Sequence, residues 1–227
     1  ARSVARPAPV PPMGVPPHVA LATNKLQGTF GSFTAALNFA RKGMINFREV
    51  FIGIVFTFIG ACIGTVLILF LSAEFLRVII PFCLIAIFIY TLLMPKVGDE
   101  DRAARMNARA FYVIFGLILG FYDGFFGPGA GSFWTFAMVA LIGLNMKKAV
   151  AHTKILNFTS NIVSLAVFIA GGQILWAVGL LMGAGQVLGA YFGSNMVMKK
   201  DVKFVRVVFL AVVGATILKL VYDRFFA

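Results

Sequence analysis

The chain is poor in the residues that usually carry chemistry. It holds two histidines and two cysteines in 227 residues. His18 and His152 are isolated, and Cys62 and Cys83 each sit inside an apolar run without CxxC spacing. Neither a metal centre nor a thiol site is expected, the cysteines read as packing residues, and no cofactor is called for. Walker GKS/T, GxSxG and HExxH patterns are all missing, which removes an ATP-driven pump and leaves no enzyme to argue for. Charge is scarce too: 12% of residues are charged, with eight acids against twenty lysines and arginines. Between Asp101 and Asp201 the single carboxylate is Asp123.

Apolar residues fill the space that these absences leave. Sixty per cent of the chain is hydrophobic, 25 residues are Phe and the mean hydropathy is +0.95, far from the balance of a soluble domain. The fold class expected is all-α, a polytopic membrane protein whose surroundings are the lipid bilayer. The net charge of +12 does not describe a nucleic-acid face, because the basic residues are parcelled into short loops between apolar runs.

Residues 1–19 hold six of the nine prolines and no apolar run, which predicts an extended tail and neither a signal peptide nor a span. Seven apolar segments are long or apolar enough to count alongside a more polar first one. Segment A runs over 20–40, B over 50–71, C over 75–94, D over 110–126, E over 132–144, F over 149–170, G over 175–198 and H over 205–222. B and C are long enough for helices across a bilayer core, which takes about 20 residues, whereas E fits a half-helix or re-entrant arm. The loops at 41–49, 96–109, 147–148 and 199–206 carry thirteen lysines and arginines, and the alternate loops almost none. The positive-inside rule makes the basic set cytoplasmic and the C-terminus periplasmic, on a multi-pass protein.

An offset of 129 residues aligns 14–47 with 143–176 at seven identities, among them Lys25 with Lys154, Phe39 with Phe168 and Gly43 with Gly172. Gly60-x-x-x-Gly64 in B corresponds to Gly185-x-x-x-Gly189 in G, a spacing that lets helices approach closely. A, B and C therefore correspond to F, G and H. The loop after A is basic while its counterpart after F is uncharged, so the copies are expected to lie in opposite senses, as an inverted-repeat helical bundle with broken or re-entrant helices. The domain reading is a tail (1–19), an incomplete first repeat (20–94), a charged cytoplasmic loop (95–109) and a second repeat (110–227). Nothing before A matches D and E, so the first repeat is expected to be short by about 30 residues.

The candidate site is the stretch from Gly120 to Asn157. Gly127, Pro128, Gly129 and Gly131 forbid a continuous helix, and non-helical backbone at membrane depth survives only beside protein or a water-filled cavity. The glycines free backbone N–H groups at the start of E, with Ser132 at the expected N-cap, where a helix dipole attracts anions; the plainer account is a tight turn. Asp123 is a candidate proton carrier, or else a helix-end acid bonded to loop N–H groups or lying near the membrane interface. Lys154, Asn157, Asn161 and Ser164 share one helical face, matched in A by Lys25, Gly28, Ser32 and Ala35. Two lysines in opposed repeats can present positive charge to one anion, with Gln27 and Ser32 beside them; snorkelling and interhelical hydrogen bonding compete with that reading. His152 is a second candidate for proton transfer, against a packing role.

The segments GFYDGFFGPGAGSF, AVAHTKILNFTSN and ALATNKLQ, with LMPKVGDEDR after C, resemble the sulfite exporter TauE/SafE family over about residues 13–224. The resemblance implies an inner-membrane carrier of bacteria for small anions such as sulfite, sulfoacetate or other organosulfur compounds, driven by a proton gradient. It also implies a first segment with its own aspartate and glycine-rich break, for which this chain shows no counterpart. The function expected is a secondary transporter, an exporter of a small anionic solute with protons as coupling ion. A passive anion channel and a non-transporting membrane scaffold or subunit stand as alternatives, and a homo-oligomer is left open.

Overall fold

The structure is a computed structural model that describes residues 15–72, 74–76, 100–172 and 174–199. Segment H, nearly all of segment C and most of the tail lie outside the described residues, and with them Cys83. The described residues are helical and contain no strand: α1 Pro17–Arg41, α2 Phe47–Leu69, α3 Ala108–Phe125, α4 Ala130–Ala137, a π-helical turn Met138–Ile142, α5 Met146–Ala170 and α6 Trp176–Lys199. In lipid every backbone polar group must be satisfied within the protein, and a helix does this within its own segment. Four of these helices, α2, α3, α5 and α6, are long and apolar enough to cross a membrane. α4 and the π-helical turn form one short apolar arm, Ala130–Ile142. α1 begins at Pro17, inside the stretch expected as tail. Proline is tolerated there because a helix's first N–H groups have no acceptor within the helix.

The 129-residue offset reappears in the helix bounds. Pro17 and Arg41, moved by 129, fall on Met146 and Ala170, the ends of α5, and Phe47 falls on Trp176, the start of α6. Gly43 and Gly172, which follow the matched helices, both have positive φ, 68° and 67°. Contacts between helices give their directions. Gly53 of α2 abuts Leu156 of α5, and further along Thr65 bonds Ser164, so α2 and α5 run parallel. Thr23 of α1 accepts from the Leu175 N–H at 3.2 Å and Asn38 donates to Ser194 at 2.7 Å, so α1 and α6 run parallel to each other. The short turn between α1 and α2 reverses the chain. The matched helices α1 and α5 therefore run in opposite directions.

Apolar attraction between helices is weak in lipid, so close packing must hold them together. α2 and α3 meet almost backbone to backbone. A Cβ added at Gly60, Gly64, Gly120 or Gly124 would lie 2.2 to 2.7 Å from a backbone oxygen of the facing helix. Phe39, Phe111, Tyr112, Trp134, Met138 and Leu156 fill the buried core between α1, α3, α4 and α5. Large apolar side chains such as Phe51, Phe58, Ile63, Ile118, Leu181 and Phe192 lie on the outside, as a lipid-facing surface requires.

Arg41, Lys42, Arg48, Arg105, Arg109, Lys147, Lys148 and Lys199 gather at one end of the bundle, where α1 and α6 end and α2, α3 and α5 begin. There residues 101–106 form a strap across the π-helical turn. Arg102 N–H donates to the Gly143 carbonyl at 2.7 Å, and Arg105 and Met106 N–H groups both reach the Leu141 carbonyl. Asp101 accepts from the Asn145 N–H at 2.7 Å and pairs with Lys148. The Lys148 and Asn145 hydrogen bonds hold the Asp101 carboxyl below its ordinary value. A depressed carboxyl stabilises the fold above its unfolded value, about 3.9, and loses that contribution as pH falls through the folded value. Hydrogen exchange of the strap amides is therefore expected to open faster only below about pH 4. The pair is exposed, so Asp101→Asn should cost under about 1 kcal/mol at neutral pH, read as thermal stability in detergent.

Candidate functional site

The glycine-rich break lies between α3 and α4. α3 ends at Phe125, and the chain turns through Gly127 and Gly129, both at positive φ (95° and 77°), before α4 starts at Ala130. Only glycine adopts those angles without strain, so the turn needs both. Gly129, in the left-handed region, is the N-cap of α4. That corrects the expectation for Ser132, which lies inside the first turn and whose N–H donates to the Gly129 carbonyl at 2.9 Å. The N–H groups of Gly129 and Gly131 have no hydrogen-bond acceptor among the described residues. They are the free donors that a helix start offers.

Asp123 is buried, 4% exposed, in the last turn of α3. Its partner comes from α1: Lys25, 2% exposed, places Nζ 2.8 Å from Asp123 Oδ1 and also donates to the Asp123 carbonyl. Asp123 Oδ2 accepts from the hydroxyl of Ser160 on α5. The ammonium is pressed against the turn, where a Cβ at Gly127 would lie 3.2 Å from Nζ. Three helices thus converge on one carboxylate, whose partners are the Lys25 ammonium and the Ser160 hydroxyl rather than loop N–H groups. Lys25, expected to face the solute, is held by Asp123. Thr65 of α2 supports the cluster, with its hydroxyl 2.7 Å from Ser164 and 3.0 Å from the Gly124 carbonyl.

The polar face of α5 continues from this cluster. Asn161 reaches Ser32 of α1 at 3.4 Å, two positions that match at the 129-residue offset. Asn157 sets its amide nitrogen about where a Cβ on Gly131 would press, at 3.1 Å, and its buried Oδ1 has no hydrogen-bond partner among the described residues. Lys154, one turn earlier, is half-buried and has neither ion pair nor hydrogen bond among the described residues. Lys25, Ser32, Asp123, Gly127, Gly131, Asn157 and Asn161 therefore line one region where α1, α3, α4 and α5 meet, with Lys154 on the α5 face that continues from it.

Two expected members lie elsewhere. Gln27 sits about 200° around α1 from Lys25, bonds Asn24 at 2.7 Å and accepts from Gln186 of α6 at 3.4 Å. His152 lies eight residues before Ser160, about 12 Å along the helix. Its Nε2 accepts from the Asn46 N–H at 3.2 Å, so its Nδ1 carries the proton and faces the Tyr112 hydroxyl at 3.0 Å. Both ring nitrogens are used in pinning the α1–α2 turn to α3 and α5. Ser160 and Thr65 were missed by the sequence reading. Ser160 stands three residues after Asn157, a helical neighbour, and that spacing was the one signal for it.

Comparison with known proteins covers nearly the whole chain. The family model for the sulfite exporter TauE/SafE matches residues 5–220. A probable membrane transporter protein of Haemophilus influenzae is 45% identical over 215 residues, 93% of this chain and 83% of its own length. The probable membrane transporter protein YfcA of Escherichia coli is 46% identical over 210 residues, 92% of this chain and 78% of its own. More distantly, the probable membrane transporter protein YdhB of Bacillus subtilis is 25% identical over 189 residues. No solved structure matches the chain at a significant level.

Proposed function

Since the chain belongs to the sulfite exporter TauE/SafE family of membrane transporters, we propose that it is a secondary carrier that exports a small anion, sulfite or an organosulfonate, across the bacterial inner membrane with the proton as coupling ion. The observation that carries this reading is the charge of the polar region at the helix break. Lys25 pairs with the carboxylate Asp123, and Lys154 on the adjoining face of α5 adds a second lysine, so the excess is positive. Intramembrane charge is costly and is kept where it serves a pathway. The N–H groups of Gly129 and Gly131, the Asn157 and Asn161 amides and the hydroxyls of Ser32 and Ser132 are the hydrogen-bond complement an oxyanion needs. Proton exchange falls to Asp123, and His152 is left with a structural role. The basic end of the bundle is the cytoplasmic one on this reading, so the strap and the starts of α2, α3 and α5 face inward.

The test is counterflow of labelled sulfite and sulfoacetate in proteoliposomes holding the full chain. A carrier gives saturable flux that rises when unlabelled anion is present on the far side. Flux that climbs linearly with concentration supports a channel instead, and no flux of either anion leaves a scaffold or subunit as the better account.

A further inference from the structure

The carrier reading says that Asp123 exchanges a proton; how that is linked to the anion follows from what Asp123 is bonded to. We infer that the Asp123 carboxylate is an internal stand-in for the transported anion. The two compete for the Lys25 ammonium, the anion gains it only when Asp123 is protonated, and one proton crosses with each monoanion in the same direction, so that export runs down the anion's own outward gradient and carries a proton out with it. The inference rests on the carrier reading and adds the linkage.

The Lys25–Asp123 pair satisfies itself. One carboxylate oxygen takes the ammonium at 2.8 Å, the other takes the Ser160 hydroxyl, and the ammonium also reaches the Asp123 carbonyl. A well-packed apolar pair in the same volume is commonly no less stable than a buried ion pair, so stability alone gives little reason to retain it. Its two halves come from the two halves of the chain, α1 and α3. They sit on the polar region shared with Asn157 and Asn161, where a solute would bind. At the offset of 129, Lys154 repeats Lys25 on a helix running the opposite way and has no carboxylate among the described residues. What Asp123 does for Lys25, accepting from an ammonium and a neighbouring hydroxyl, is what an oxyanion would do in this site.

The charge arithmetic then sets the linkage. With Asp123 ionised, an arriving anion meets a paired lysine and a like charge. With Asp123 protonated, Lys25 is released and the carboxylic acid becomes a donor itself. Among the described residues Lys25 is the one charged group that faces Asp123. α5 presents Ser160, with Lys154 six residues away, about 9 Å of helix rise. α2 presents Thr65 and Ala61, its Glu49 lies at the far, basic end, and Cys62 is its neutral titratable group nearby. α4 has no titratable side chain.

The experiment uses proteoliposomes and methanesulfonate, a monoanion. Wild-type protein should accumulate it about tenfold per unit of inward proton gradient and ignore an imposed membrane potential, since proton and anion together are neutral. Asp123→Asn should still exchange the anion, lose the response to the pH gradient and become driven by the potential. Ser160→Ala keeps every charge and removes a hydrogen bond from the ionised carboxylate, so the pH midpoint of uptake should rise; it decides the matter if the asparagine variant does not fold. Wild-type flux indifferent to the pH gradient overturns the inference while sparing the carrier reading. A folded asparagine variant that stays gradient-driven or loses exchange, or an unmoved midpoint in Ser160→Ala, overturns it as well. Absence of wild-type anion flux removes both.

Discussion

Lys154→Gln is expected to raise the half-saturation concentration for the anion by about thirtyfold or more while leaving the fold intact. Truncating one partner of a buried charged contact costs roughly 2 kcal/mol or more, and each 1.4 kcal/mol is tenfold in affinity. The ammonium has no ion pair or hydrogen bond among the described residues, so its removal strands no internal partner. Thermal stability in detergent should stay within about 0.5 kcal/mol of wild type. Lys25→Gln is the contrast, because it strands the buried Asp123 and should cost about 3–5 kcal/mol. Counterflow kinetics and an unfolding curve on each variant give both readings. An unchanged half-saturation for Lys154→Gln would remove that lysine from the site, and a stability loss like that of Lys25→Gln would make its role structural.

The other large effect concerns stability. Gly64→Val should separate α2 from α3, since a Cβ there would lie 2.2 Å from the Phe121 carbonyl oxygen and 2.8 Å from the Phe125 nitrogen. Backbone cannot rotate away as a flexible side chain can, so the helices must shift. Overpacking costs about 1–3 kcal/mol, and contact with rigid backbone belongs at the upper end. Ile63→Val, on the exposed face of the same helix, should cost less than about 0.5 kcal/mol. Comparison of the two variants by thermal unfolding in one detergent checks this. Equal stability would mean that the helices are not held by close backbone contact.

Much of the fold could be read from the sequence because a membrane narrows the choice. Apolar runs become helices, basic loops mark one end, and the Lys25–Lys154 register carried through to helix ends placed 129 residues apart. The site was legible in composition but not in pairing. Lys25 and Asp123 are 98 residues apart, and no helical periodicity reports which lysine a carboxylate meets across three packed helices. The polar stripe of α5 falls on one helical face by spacing alone, yet Ser160, a turn along from Asn157, gives little signal of its own because serine inside a helix is so often bonded to its own backbone. Ser132 was misplaced for a different reason. A capping side chain is an ordinary helix start, whereas here the left-handed Gly129 takes that position.

The glycine contact between α2 and α3 also bears on how the protein moves. Along Gly60–Gly64 and Gly120–Gly124 the helices touch through their backbones with no side chain between them to change rotamer, so that stretch of the seam favours one arrangement and the pair is expected to travel as a single piece. A transport cycle needs a seam with two arrangements. Around α1 the contacts are of the other kind: a lysine on a carboxylate, an asparagine on a serine, a glutamine on a glutamine. Polar contacts of this kind can be traded for a solute's or a proton's, so α1 is expected to be the element that moves, with the α2–α3 pair as the frame it moves against.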